Sequence, residues 1–300
     1  MIVSARKPAR DNAGLGHIFV ATDATNLLLR QMNELLEHGY DADYCLIFSI
    51  LGEPRCGKTA LIRAFDQASD ARKDDFKPRK ILEVQVPENP TVMTIATAML
   101  HALGDGAPAH GTSYAKTSRA MTLLERGQYD VVIYDEIHRV VNGRTERNGE
   151  TAASWISDTL NRRICPAIGI GEPSFAPLLE HKSYLDGRGM GIGWVKRCDW
   201  KNADSRLAFR TMLQGIGRGL GIPTDFVIEK SAVSEMLWKY SEGRIGFVSI
   251  LLTKARILAA RENAPALSMR HLHHAADELA LQSTSKGTNP FPAPDKAPLR

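Results

Sequence analysis

Residues 45–65 read CLIFSILGEPRCGKTALIRAF, and three textures follow one another within them. Leu46-Ile47-Phe48-Ser49-Ile50-Leu51 is a near-continuous apolar run, as expected of a strand covered on both faces in a parallel sheet. Gly52-Glu53-Pro54-Arg55-Cys56-Gly57-Lys58-Thr59 then fits the spacing G-x-x-x-x-G-K-[ST]. Ala60-Leu61-Ile62-Arg63-Ala64-Phe65 is helix-compatible, with Leu61, Ile62 and Phe65 on one face. The loop chemistry asks for these residue types. Gly52 and Gly57 let the backbone wrap closely around a polyphosphate, so that successive N–H groups point inward. The following helix offers its unpaired N-terminal amides to the same charge. Lys58 reaches the β- and γ-phosphates, and the Thr59 hydroxyl ligates magnesium. A glycine turn matches this spacing by chance often enough, but few such turns fall between a buried strand and an amphipathic helix. Gly52 to Ala60 is therefore read as a nucleotide-binding loop.

Composition narrows the rest. Three hundred residues, 43% hydrophobic and 24% charged, suit a soluble globular chain of one large domain or two smaller ones. A net charge of +4 does not by itself announce a nucleic-acid binder. The four cysteines, Cys45, Cys56, Cys165 and Cys198, form no C-x-x-C pair, which argues against a disulfide scaffold or a zinc site and suits a reducing cytoplasm. The first residues, MIVSARKPARDN, hold no apolar core for a signal peptide, and no run approaches a membrane span. A cytoplasmic protein without membrane contact is expected.

A second strand-like run, Tyr129-Asp130-Val131-Val132-Ile133-Tyr134, ends in Asp135-Glu136. Strand-end carboxylates belong in such a site because ligands of open α/β sheets sit beyond the carboxyl ends of the strands. Asp135 would hold the magnesium shell with Thr59, and Glu136 would orient and polarise the attacking water. The doublet could instead cap the next helix; its pairing with the upstream loop decides for function.

Between these landmarks the chain alternates. Asp23–Asn26 caps a helix to about His38, Ile81–Val86 is a strand, Val92–Leu103 a helix, and Thr112 or Ser113 caps a helix to about Arg126. Ile18 to Val20 either pack on an adenine or form an apolar staple. Residues 137–150 read as a solvated basic loop, 151–161 as a helix and Ile164–Gly171 as a buried strand. Ile192–Cys198 reads as an edge strand. After Trp200 only helices are expected, at about 203–217, 226–241, 244–262 and 268–281. His271, His273 and His274 are spaced poorly for a metal and read as exposed. The organisation expected is a flexible arm (1–16), an α/β core (17–199), a helical lid (200–282) and a disordered tail (283–300) with Pro290, Pro292, Pro294 and Pro298.

Taken together, the phosphate loop, the Asp-Glu strand end, a further buried strand and a helical C-terminal lid resemble the AAA+ P-loop ATPases. The ordering of "LGEPRCGKTALIRAF", "DVVIYDEIHRVV", "PAIGIGEPSFAPLL" and "SEGRIGFVSILLTKARILAA" is similar to the TniB/TnsC family of transposition regulators. That resemblance implies ATP and Mg2+ as cofactors and a bacterial, nucleotide-dependent homo-oligomer, a ring or filament around double-stranded DNA. It further implies recruitment of a DDE transposase and a TniQ-like target selector. Arg188 falls where such proteins keep an arginine finger acting on the neighbouring subunit, and Arg244 at a lid position that touches phosphate. Glu172, or Ser174, occupies the place of a polar sensor beside the γ-phosphate, where an Asn or Thr is usual. DNA contacts in the family lie between the Walker motifs, and the matching residues are Lys116, Thr117 and Arg119, with Arg139 and Arg144. Such contacts would be to phosphates and blind to sequence. Two rivals share the core: an AAA+ ATPase of a secretion or helicase-loading system, and a small-molecule P-loop kinase, against which the Asp-Glu doublet and the helical lid both speak.

Overall fold

The computed structural model describes residues 15, 18–40, 43–70, 79–141, 146–181, 187–279 and 289–293. They divide into two compact units, one of residues 23–54 and 61–196, the other drawn from 1–22, 55–60 and 197–300.

The first unit is a five-stranded sheet in the order β2-β3-β4-β1-β5, with β1 Ile47–Leu51, β2 Ile81–Gln85, β3 Val131–Asp135, β4 Ala167–Gly171 and β5 Gly189–Trp194. Every pairing is parallel. β1 and β4 are buried at all five positions and β3 at four, because helices cover both faces and no strand face is left for water. The edge strand β2 alternates instead: Leu82 and Val84 point into the core, and Glu83 and Gln85 outward. β5 starts earlier than the sequence suggests, at Gly189 rather than Ile192. It takes its register from the start of β1, where Gly189 pairs with Ile47. The helices of this unit are α1 Asp23–His38, α2 Lys58–Asp70 from Leu61 onward, α3 Val92–Ala102, α4 Ser113–Gly127, α5 Glu146–Asn161 and α6 Ala176–His181. Thr91 and Thr94 form a reciprocal capping box on α3, and Thr112 caps α4; both satisfy amides that no helical turn can reach.

Cys45 and Cys165 sit in this unit as buried free thiols. Burial pushes Cys45 up to about 11 and Cys165 up to about 12, so neither forms appreciable thiolate at neutral pH. Mapping of iodoacetamide adducts at pH 8 is expected to leave both unmodified in the native protein and to label both in guanidinium.

The second unit is helical: α7 Ala203–Arg218, α8 Ser231–Ser241, α9 Ile245–Arg261 and α10 Met269–Leu279. α8 begins five residues later than expected. Residues 226–230 make a turn in which Lys230 N donates to Val227 O. Leu15 and Phe291 join Phe209, Leu237, Leu252 and Leu272 in its core. Ile18 and Val20 lie against Gly219, just past α7, and Gly215 within it, since a Cβ added at either would strike their side chains. His271, read as exposed, is 3% exposed. Its Nδ1 accepts from Ser268 N at the start of α10, and its Nε2 faces Glu262.

Within the stretch read as a disordered tail, residues 289–293 are seated on this unit. Phe291 is 2% exposed, its ring 6.0 Å from that of Tyr240. Asn289 Nδ2 donates to His273 O and to Asp277 Oδ1. Proline-rich composition forbids helix and strand, but one aromatic anchor and one asparagine suffice to dock an extended strap. Phe291→Ala is expected to cost about 3 kcal/mol, read as a lower melting temperature by circular dichroism; an unseated tail would leave the melt unchanged. None of the described helices is long and apolar enough to cross a membrane.

Candidate nucleotide site

The strands end flush. Leu51 pairs with Gly171, Tyr134 with Gly169, and Gly52 N donates to Gly171 O at 3.1 Å. The start of the glycine loop, the tip of β4 and the tip of β3 therefore share one edge of the sheet, its carboxyl edge.

In the loop, Arg55 has φ +67 and Gly57 φ +105. Arg55 tolerates its left-handed backbone at a cost of about 1 kcal/mol, whereas Gly57 lies where only glycine is comfortable. Turns of this kind make concave anion nests. Gly52 has a packing reason of its own: a Cβ there would meet the Val195 carbonyl oxygen at 2.3 Å. Glu53 is half-buried, Pro54 and Arg55 exposed, and Cys56 buried. Lys58 opens α2 half-buried, followed by exposed Thr59 and half-buried Ala60. Within the helical unit, Gly246 N donates to Arg55 O at 2.8 Å, and Ile245 Cγ2 lies 3.6 Å from where a Gly57 Cβ would be. The amino end of α9 thus holds the middle of the loop. Arg244, which caps α9, places Nη2 3.4 Å from Glu242 and its guanidinium over Phe247.

At the tip of β3, Asp135 accepts from Glu136 N through Oδ1 at 2.9 Å. Glu136 itself is left-handed, φ +57 and ψ +35, an arrangement that turns the chain sharply out of the strand. On β2, partial burial and then the charge of Asp135 raise the Glu83 carboxyl above its ordinary range. This edge is rich in hard, negative oxygens. A carboxylate such as that of Asp135 is a donor that suits Mg2+ rather than a soft metal.

The segment after Glu136 is not a solvated loop from its start. Ile137–Val140 is a 3-10 turn with Ile137, His138 and Val140 buried. It fits because β4 carries no side chains at Gly169 and Gly171. A Cβ at Gly169 would lie 2.9 Å from Ile137 Cδ1, and one at Gly171 3.0 Å from His138 N. His138 is thereby set between Glu136 and Glu172 at the β4 tip. The first sits 3.4 Å from Nδ1 and the second 3.7 Å from Nε2. Sequence reading passed over His138; the glycine alternation of AIGIG was the signal that something packs there. Ser174 is exposed beyond Glu172.

Arg188 lies at the other edge. Its carbonyl accepts from Ile47 N at the start of β1, a strand's length, roughly 15 Å, from the loop. Nε donates to Asn161 Oδ1, and the guanidinium stacks on Tyr44. It is not placed to serve its own chain's site.

The residues matched to DNA contacts hold partners in their own chain. Lys116 corrects the reading outright: it is 4% exposed, and Nζ donates to Thr97 Oγ1 on α3. Thr117 accepts from Trp155 Nε1. Arg119 ties the α3–α4 loop through Asp105, Ala107 O and His110 O. Arg139 donates to Val86 O. Arg144 lies outside the described residues.

The model of the bacterial TniB protein family matches residues 17–188. No curated protein matches the chain in sequence. Among solved structures, the ORC1 protein of Aeropyrum pernix in complex with DNA is similar at TM-score 0.64 and 17% identity, over 85% of this chain and 64% of that one. Cdc6p from Pyrobaculum aerophilum matches at 0.61 and 11%, over 87% and 69%. Drosophila ORC bound to DNA matches at 0.56 and 14%, over 93% and 70%. The chain thus spans less than two thirds of the ORC1 chain, and at these identities the likeness is one of fold.

Gly57→Ala should damage the loop through backbone strain alone, because the positive φ resists a Cβ while the space around it is open to one. Titration with a fluorescent ATP analogue is expected to show at least tenfold weaker binding, with the melting temperature little changed.

Proposed function

Because this chain belongs to the bacterial TniB protein family and has the AAA+ P-loop ATPase fold, we propose that it is an ATPase that regulates transposition by assembling on duplex DNA. The observation that carries the reading is the flush carboxyl edge, which presents the start of the loop at Gly52, the Asp135-Glu136 tip and Glu172 along one line of strand ends. In this reading the loop amides and Lys58 hold the β- and γ-phosphates of ATP, and Thr59 and Asp135 provide magnesium ligands. A bound magnesium ion supplies neutralisation of phosphate charge. Glu136 orients water for in-line attack on the γ-phosphorus, the bond to the bridging oxygen breaks, and ADP and phosphate leave. Arg244, two residues before the Gly246 contact with the loop, is a candidate phosphate contact. Arg188, remote from its own chain's strand ends, acts on a neighbouring subunit of a ring or filament.

Two of the similar structures are of DNA-bound proteins, which supports double-stranded DNA as a ligand here. The phosphate contacts are left to residues other than Lys116. The partners proposed are a DDE transposase and a TniQ-like target selector. Turnover is slow and coupled to assembly, so hydrolysis times disassembly.

Electron microscopy with duplex DNA tests this. Rings or filaments are expected with ATP or a slowly hydrolysed analogue and not with ADP. Lys58→Ala is expected to abolish them, and Glu136→Gln to prolong them by slowing hydrolysis at least 10-fold. Protein that ignores DNA in every nucleotide state would overturn the proposal.

A further inference from the structure

A carboxylate at Glu172 presents a problem of charge. Under the reading above, the β4 tip faces the terminal phosphate, and two like charges brought close together there repel. Glu136 adds a second carboxylate within reach of the same phosphate. The structure places one group between the two. The His138 ring is 10% exposed, Glu136 Oε2 is 3.4 Å from Nδ1, and Glu172 Oε1 is 3.7 Å from Nε2. Nδ1 is buried with no hydrogen-bond partner of acceptable geometry. The contacts are therefore close but unconsummated, as expected of a set that tightens when its ligand arrives. The ring's position is built in. Gly171 clears the space for the backbone of His138, and the left-handed Glu136 turns the chain back into it.

We propose that His138 is a positioning residue of the nucleotide site, an imidazole bridge that ties the water-orienting carboxylate of Glu136 to the carboxylate of Glu172 and turns both away from direct opposition to the γ-phosphate. A ring with one nitrogen toward each glutamate donates to whichever lacks a partner and, when doubly protonated, to both. The bridge makes Glu172 serviceable where a neutral side chain is the common solution. It also makes the position of Glu136 depend on the state of Glu172, so that arrival of a third phosphate at the β4 tip is felt by the group that orients water. The inference rests on the ATP-site reading and deepens it: the site distinguishes ATP from ADP through His138.

The test compares wild type, His138→Ala, Glu172→Gln and the double variant by titration with fluorescent ATP and ADP analogues, and by steady-state turnover. His138→Ala is expected to leave ADP affinity within about twofold, to weaken ATP binding about tenfold through an uncompensated Glu172, and to lower kcat by a similar factor. Adding Glu172→Gln is expected to restore ATP affinity, because the charge His138 offsets is then gone. His138→Gln, which keeps one donor and most of the volume, is expected to fall between, and its melting temperature separates loss of fold from loss of function. Equal losses for ATP and ADP, or no rescue by Glu172→Gln, would reduce His138 to packing and overturn the inference. Wild-type protein that binds neither nucleotide overturns the ATP-site reading and the inference with it. Normal wild-type binding and turnover with an unaffected His138→Ala overturns the inference alone.

Discussion

A parallel sheet has a carboxyl edge, and in this chain everything proposed for chemistry depends on that constraint. Strands that all run one way end on one side, and hydrogen bonding between β1, β3 and β4 sets their ends level. The polypeptide needs no further device to place a glycine loop, an acidic doublet and a glutamate beside one another. Each is the first thing the chain does after leaving its strand. The burial of β1, β3 and β4 then makes the arrangement stiff, since a slip of one residue would unseat side chains packed on both faces.

The second constraint is crowding at the β4 tip. Gly169 and Gly171 give up side chains in a central strand, where glycine weakens packing, and Ile137 and His138 occupy the space. Glu136 accepts a left-handed backbone as part of the same bend. Local costs of this kind are about 1 kcal/mol each. In the helical unit the comparable economy is at Gly246: only a residue without Cβ lets the amino end of α9 approach Arg55 closely enough to donate to its carbonyl.

The basic residues that the family resemblance matched to DNA contacts have other work in this chain, and the burial of Lys116 removes it from any such surface. In the folded chain they act as long donors: Lys116 pins α4 to α3, Arg119 closes the loop between them, and Arg139 reaches a backbone carbonyl beyond β2. A guanidinium with five donors is as well suited to organising carbonyls as to gripping phosphates. His271 is likewise buried, at a helix start where its ring accepts from the backbone amide of Ser268.

Local rules were enough for the fold class and for where the motifs of the candidate site fall in it. Apolar runs of the right length bounded by glycine, a fixed spacing of Gly, Lys and Thr, and acids at a strand end are all short-range signals, so strand, loop and helix between Cys45 and Phe65 were legible, as were Asp135 and Glu136 and the change to helices after Trp200. Start positions drifted by three to five residues in β5 and α8, because their limits are set by a partner strand and by a turn that periodicity does not see. Tertiary structure alone decided that His138 sits between Glu136 and Glu172, that Lys116 is buried, that Arg188 lies at the opposite edge from the loop, and that Phe291 anchors a strap of the proline-rich tail. These depend on which groups distant in sequence come within a few ångströms of one another, and proximity of that kind is a property of packing, which no local pattern of residues encodes.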